Sequence, residues 1–176
     1  IWWGDILVSY AVCGMLLYAC WSLRPGWQLG LGIGLLIIGS LIWGGLGATV
    51  PWWPPEDRAA MAASFSPDVD AMQSYMAMMQ GGWLDQMEHR VPESAGMHLF
   101  LLPAFLVWRV GGLMLIGMAL FNWGVFNGSR STGFYCGWIM GGGVIGLALT
   151  SWTLQLNEAG GWDPIDVIFL NGLPAF

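Results

Sequence analysis

Residues 6–23, 29–50 and 134–154 carry no charged side chain, and each approaches or reaches the length needed to cross a bilayer. An α-helix rises about 1.5 Å per residue, so roughly 20 apolar residues cover the ~30 Å hydrocarbon core. No water is present there to satisfy backbone N–H and C=O groups, which makes such segments helical. Composition agrees: 56% of residues are hydrophobic and 9% charged, against about a quarter charged in an average soluble domain. Lysine is absent, and the 13 tryptophans and 27 glycines suit interfacial anchoring and close helix packing.

The expected fold is all-α. It is a polytopic transmembrane helical bundle with four complete crossings, the start of a fifth and an extracytoplasmic amphipathic helix. Residues 6–23, flanked by Asp5 and Arg24, form the first crossing, and a turn at 24–27 leads to the second at 29–50. Gly30 and Gly34 make a small-xxx-small pair on that helix, a spacing that lets two backbones approach closely. Residues 51–55, Pro-Trp-Trp-Pro-Pro, end it at the interface, since proline stops the hydrogen-bond ladder and indole rings favour the headgroup level.

An outer polar region covers 51–96. Within it Val69, Met72, Met76, Met79, Trp83 and Met87 recur at steps of three and four, which predicts one amphipathic helix. Ser66 and Pro67 supply its cap and first-turn proline, and Asp68 and Asp70 complement the positive end of its dipole. Residues 97–126 are apolar but include Arg109, and Pro103, suited to a helix start, places the third crossing at about 103–126. A turn at 127–130 precedes the fourth crossing, 134–154, and a polar loop at 155–166 leads into a fifth helix at 165–176. With no basic flank before the first crossing and a new apolar segment at the end, the expectation is one membrane domain, 1–176, internal to a longer chain.

Arg24 and Arg130 lie in the turns after the first and third crossings, whereas all 11 carboxylates fall in the segments on the other side. Basic residues in short loops mark the cytoplasmic face, so the N-terminal end and the 51–96 region are expected to be extracytoplasmic. A net charge of −6 argues against nucleic acid as a partner. The expected partners are the lipid bilayer and other membrane subunits or further copies of the chain.

Arg109 is the leading functional candidate, because an ionisable group inside a membrane helix costs at least about 2.5 kcal/mol and faces a partner or a wet cavity. It reads as an anion or substrate site, or as an ion-paired or snorkelling structural arginine. Asp5, at the outer end of the first crossing, is within reach of it or is an ordinary interfacial carboxylate. His98, near the outer surface, is the third catalytic candidate, set against a hydrogen-bonded structural role. His89 lies beside Glu88 and Arg90, and neither histidine has a zinc-ligand spacing. The methionines at 72, 76, 78, 79 and 87 are thioethers able to bind Cu(I), but their spacing is explained by one helix face. Cys13 and Cys20 sit about 10 Å apart along one helix and cannot pair. They and Cys136 read as small buried hydrophobes. No metal site is predicted, and no phosphate loop, GxSxG or CxxC occurs.

Two segments carry a family resemblance. Trp3-Gly4-Asp5-Ile6-Leu7-Val8-Ser9-Tyr10-Ala11-Val12-Cys13-Gly14, on a helix ending in Leu23-Arg24-Pro25, resembles the Gly-Asp-Ile-Leu, Tyr-Ala, Gly pattern of the YeiB-like family of bacterial inner-membrane proteins. Arg109-Val110-Gly111-Gly112-Leu113-Met114-Leu115-Ile116-Gly117-Met118-Ala119-Leu120 is similar to that family's Met-Leu-Gly-Met-Ala-Leu helix. The resemblance covers residues 2–124 and matches at Gly4, Asp5, Tyr10, Arg109 and Gly117. It implies a multi-pass protein of about ten helices in the bacterial inner membrane, of unestablished function and related to membrane acyltransferases, with an acyl donor such as acyl-CoA. The family's early Arg/Asp-bearing helix and its late section have no counterpart in this chain.

Three functions follow as expectations. The first is an acyltransferase-like membrane enzyme with Asp5 and Arg109 lining an intramembrane polar site. The second is a non-catalytic subunit or scaffold packing through glycine faces and the outer amphipathic helix. The third is a transporter, although no internal repeat is evident.

Overall fold

The computed structural model describes residues 6–65 and 67–170, which are almost wholly helical and contain no strand. The α-helices in order are α1 (Ile6–Leu17), α2 (Pro25–Thr49), α3 (Pro55–Phe65), α4 (Val69–Met79), α5 (Trp83–Leu101), α6 (Val107–Asn122) and α7 (Thr132–Ala159). Short 3₁₀ turns follow α1 at Tyr18–Cys20 and α2 at Val50–Trp52. A π turn, Leu102–Leu106, joins α5 to α6, and another occupies Asp166–Leu170. Three of the resulting rods are long and apolar enough to cross a membrane: Pro25–Trp52, Trp83–Asn122 and Thr132–Ala159. Ile6–Cys20 is apolar but shorter.

The bundle is organised by α2 against α6, with α1 on the flank of α6. The buried line along α2 is Gln28, Gly32, Gly39, Trp43 and Gly47. Its partner on α6 is Gly111, Gly112, Leu115 and Ala119. The two backbones meet at Gly32 and Gly112. A Cβ placed on Gly32 would lie 2.8 Å from the Gly112 carbonyl oxygen, and one on Gly112 would lie 2.9 Å from the Gly32 carbonyl oxygen. No side chain fits at either position. The pair expected from spacing, Gly30 and Gly34, is not the seat: a Cβ on either would meet nothing within 4 Å. Residues two apart lie about 200° around a helix, so Gly30 and Gly34 face away from the side that carries Gln28, Gly32 and Trp43.

At the far end of α2, Trp43 stacks on Phe169 with centroids 5.4 Å apart and meets the edge of Phe105 at 5.4 Å. Its Nε1 donates to the Ile168 carbonyl at 2.9 Å. Val50 and Ile165 complete this buried cluster. The segment that opens the expected fifth helix is thus fastened to α2, and Asp163 starts it by accepting from the Ile165 N–H at 2.8 Å. Residues 171–176 lie outside the described residues.

Several expected boundaries are corrected. The single amphipathic helix through Val69 and Met87 is two helices, broken where Gly81 and Gly82 follow Gln80. Gln86 Nε2 donates to the Met79 and Gly81 carbonyls, and the Asp85 carboxylate accepts from the Gly82 N–H, so the break is capped on both sides. The cap of α4 is Asp68, which accepts from the Ala71 N–H at 2.7 Å. Pro103 starts no helix: it sits in the π turn of one 40-residue rod, Trp83–Asn122. Proline lacks an N–H and clashes with the preceding turn, and the wider π turn accommodates both defects without ending the helix. The first crossing was expected to run to residue 23, yet α-helix gives way to a 3₁₀ turn after Leu17.

The expected end of the third crossing also moves. At the end of α6, Gly124 (φ 71°) places its N–H on the Phe121 carbonyl and that of Val125 on Leu120, a Schellman stop for the helix. Arg130 then donates to the Trp123 carbonyl at 2.7 Å. The fourth helix runs past residue 154 to Ala159, so residues 155–159 of the expected loop are helical. None of the apolar window of α7 is buried, and α7 packs at most sparsely against the other helices among the described residues.

The glycine contact yields a direct test. Gly112→Leu should lower the unfolding free energy in detergent by about 1–3 kcal/mol through overpacking, whereas Gly34→Leu should leave it almost unchanged. Equal effects on thermal unfolding would remove the Gly32–Gly112 crossing from the account.

Candidate functional site

Arg109 follows the π turn by three residues, on the first turn of α6. It is half-buried, and its guanidinium carbon lies 5.6 Å from the centroid of the Phe105 ring. That distance is within the ~6 Å range of a cation–π contact. Phe105 is in turn held by Trp43, so the arginine sits at the edge of the aromatic cluster. The proposed partner Asp5 lies outside the described residues.

His98 is half-buried on the last turn of α5, and its Nδ1 is 2.7 Å from the Ser94 carbonyl oxygen. A carbonyl can only accept, so Nδ1 carries the hydrogen and the neutral ring holds its lone pair on Nε2. Ser94 itself is 3% exposed, and its hydroxyl has no hydrogen-bond partner among the described residues. A buried hydroxyl left unmade is costly, so this turn of α5 carries a polar group that packing alone does not require. His98 and Arg109 are eleven residues apart, roughly 16 Å along the rod. They cannot act on the same atom; together they could only engage two ends of an elongated molecule.

The remaining expected groups do not converge on a metal. Among the described residues no three His, Cys, Asp or Glu side chains are grouped as ligands. His89 is exposed, and the methionines are divided between α4 and α5, with Met72 and Met76 exposed. The Met79 sulfur lies 3.7 Å from the Arg90 guanidinium, an arrangement that suits a weak acceptor better than a copper ligand. Cys13 is buried and Cys20 half-buried, as expected of small hydrophobes, but Cys136 is exposed on α7; all three are free thiols.

A second polar centre, not anticipated from the sequence, lies at the opposite end of the bundle. Gln28 is fully buried; its Nε2 donates to the Cys20 carbonyl at 3.0 Å and the Trp21 carbonyl at 3.3 Å, and its Oε1 accepts from Asn122 Nδ2 at 3.0 Å. This bond brings the turns bearing Arg24 and Arg130 to one end. Arg58 and Asp166 approach to 3.9 Å at the other. Beside Gln28 a groove of about 360 Å³ is lined by Trp21, Met114, Gly117, Met118, Phe121 and Phe126. The signal was present in the sequence as an amide inside each of two apolar helices, a placement that membrane helices use for interhelical bonds. A shallower depression of about 570 Å³ lies between Trp52, Trp53 and Asp57 at the start of α3.

Comparison of the chain with family models, curated proteins and solved structures gives no match.

The Gln28–Asn122 bond should have a measurable coupling. In a double-mutant cycle of Gln28→Ala and Asn122→Ala, unfolding in bicelles should give an interaction energy near 0.6 kcal/mol and up to about 1.7, the range found for interhelical bonds in membranes. Additivity of the two changes would show that the amides do not bind each other.

Proposed function

We propose that this chain is part of a YeiB-like, acyltransferase-like enzyme of the bacterial inner membrane, with its acyl-transfer site along the α5–α6 rod. The observation that carries the reading is the geometry of His98, whose Nδ1 is committed to the Ser94 carbonyl and whose Nε2 therefore has the form of a general base. In this reading Nε2 takes the proton of an acceptor hydroxyl as its oxygen attacks an acyl thioester. The new O–C bond forms, the C–S bond breaks, and the proton passes to the departing thiolate. Arg109, with Asp5, lines the polar site and holds an anionic part of a long donor such as acyl-CoA. The ~16 Å separation of His98 from Arg109 suits a donor of that length.

The same reading has four crossings, with α1 as the first, and puts the N-terminal end and the helices of the 51–96 region outside the cytoplasm. Its support is the grouping of Arg24 and Arg130 at one end of the bundle and of Arg58 and Asp166 at the other. Membranes containing the protein, given radiolabelled acyl-CoA, should transfer label to an acceptor. His98→Ala should lower the rate by about 10²–10⁴, the contribution of a general base, with expression and unfolding temperature retained. Transfer at the wild-type rate by His98→Ala would refute the assignment.

A second reading, a non-catalytic subunit or scaffold, is favoured by α7. Its glycines at 137, 141, 142 and 146 would each tolerate a Cβ without meeting anything within 4 Å, although such residues in membranes serve close helix approach. Exposed Cys136 lies on this helix. Under this reading, oxidation in native membranes should give a cross-linked species that is lost in Cys136→Ser and retained in Cys20→Ser. Absence of any Cys136-dependent product would leave α7 facing lipid.

A further inference from the structure

We infer that the groove beside Gln28 is a binding site for one acyl chain of an anionic phospholipid, with Arg24 and Arg130 attracting its headgroup. The inference stands apart from the acyl-transfer reading. Its walls are almost entirely apolar: Trp21, Met114, Met118, Phe121 and Phe126. Gly117 forms the floor, and a Cβ there would meet nothing within 4 Å, so the absence of a side chain keeps the groove open. A volume of about 360 Å³ is at the low end of the roughly 300–1,000 Å³ of small-molecule sites.

Depth matches a single leaflet. From Asn122 to Met114 is eight residues, or about 12 Å of helix, against about 15 Å for half of the ~30 Å hydrocarbon core. The groove therefore begins at the polar Gln28–Asn122 level and ends short of the Gly32–Gly112 crossing. Two cations stand near the Gln28–Asn122 end. Arg24 immediately precedes α2 and is exposed, its carbonyl accepting from the Gln28 N–H at 3.2 Å. Arg130, also exposed, donates to the carbonyl of Trp123, the neighbour of Asn122. Among the described residues no carboxylate lies in the chain between Ile6 and Val50 or between Val107 and Asn157, the stretches that contain Gln28, Asn122 and both arginines. An apolar slot one leaflet deep, topped by two arginines and no acid, has the chemistry of a phosphate-headed lipid with its tail in the slot.

Native mass spectrometry of the detergent-solubilised protein, titrated with phosphatidylglycerol or phosphatidylcholine of identical acyl chains, tests this. One phosphatidylglycerol should be retained per chain. Each arginine is expected to contribute about fivefold in preference over phosphatidylcholine. Gly117→Leu fills the slot and should abolish retention of both lipids. The double variant Arg24→Gln with Arg130→Gln should keep acyl-chain binding but bring the two lipids to equal affinity. Wild-type retention by Gly117→Leu, or an unchanged lipid preference in the double variant, would overturn the inference. Because the second variant leaves the slot intact, misfolding of the first does not decide the outcome.

Discussion

The close approach of Gly32 to Gly112 is the constraint on which the bundle depends. Lipid tails are as apolar as leucine, so helices in a bilayer gain little from leaving them, and association relies on dense packing and on polar bonds between helices. Here the carbonyl oxygens of the two glycines occupy the space where side chains would stand. With the backbones at that distance, and α2 antiparallel to α6, the register along the rest of the pair follows. Gln28 reaches Asn122 at one end, and Trp43 reaches Phe105 at the other.

The two ends are held by different chemistry. At the Gln28 end an amide satisfies two carbonyls of the 3₁₀ segment after α1 as well as Asn122, so a single side chain ties α1, α2 and α6 together. At the Trp43 end three aromatic rings gather around the incoming π turn of Asp166–Leu170. Arg109 belongs to this second end. A cation on the face of Phe105 recovers about 0.5–2 kcal/mol, part of what the arginine costs within an apolar rod.

Much of the helical layout was legible because long uncharged runs leave the backbone no alternative. Residues 29–50 and 134–154 both lie within observed helical rods. What stayed hidden was set by side-chain direction and local capping. Gly32 rather than Gly30 or Gly34 seats the crossing because the buried face is fixed by Gln28 and Trp43, which spacing among glycines does not reveal. Pro103 looked like a beginning because proline usually is one; the π turn that absorbs it depends on the flanking helices continuing through. Gln80-Gly81-Gly82 broke the methionine stripe despite its regular period, since two glycines weaken the helix where Asp85 and Gln86 can cap the fragments. The Gln28–Asn122 pair required knowing that residues 94 apart in sequence share one level of the bundle.

The Trp83–Asn122 rod has a mechanical consequence. At 40 residues it is about 60 Å long, twice the hydrocarbon thickness, and its charge is confined mostly to the α5 half, which carries Asp85, Glu88, His89, Arg90 and Glu93. The rod has two weak points, Pro92 and the π turn at Leu102–Leu106. The second of these lies directly between α5 and Arg109. Any bending at that joint reaches α2 through the contact of Phe105 with Trp43. Arg109 thus sits one turn past the joint between the charged half of the rod and its apolar half.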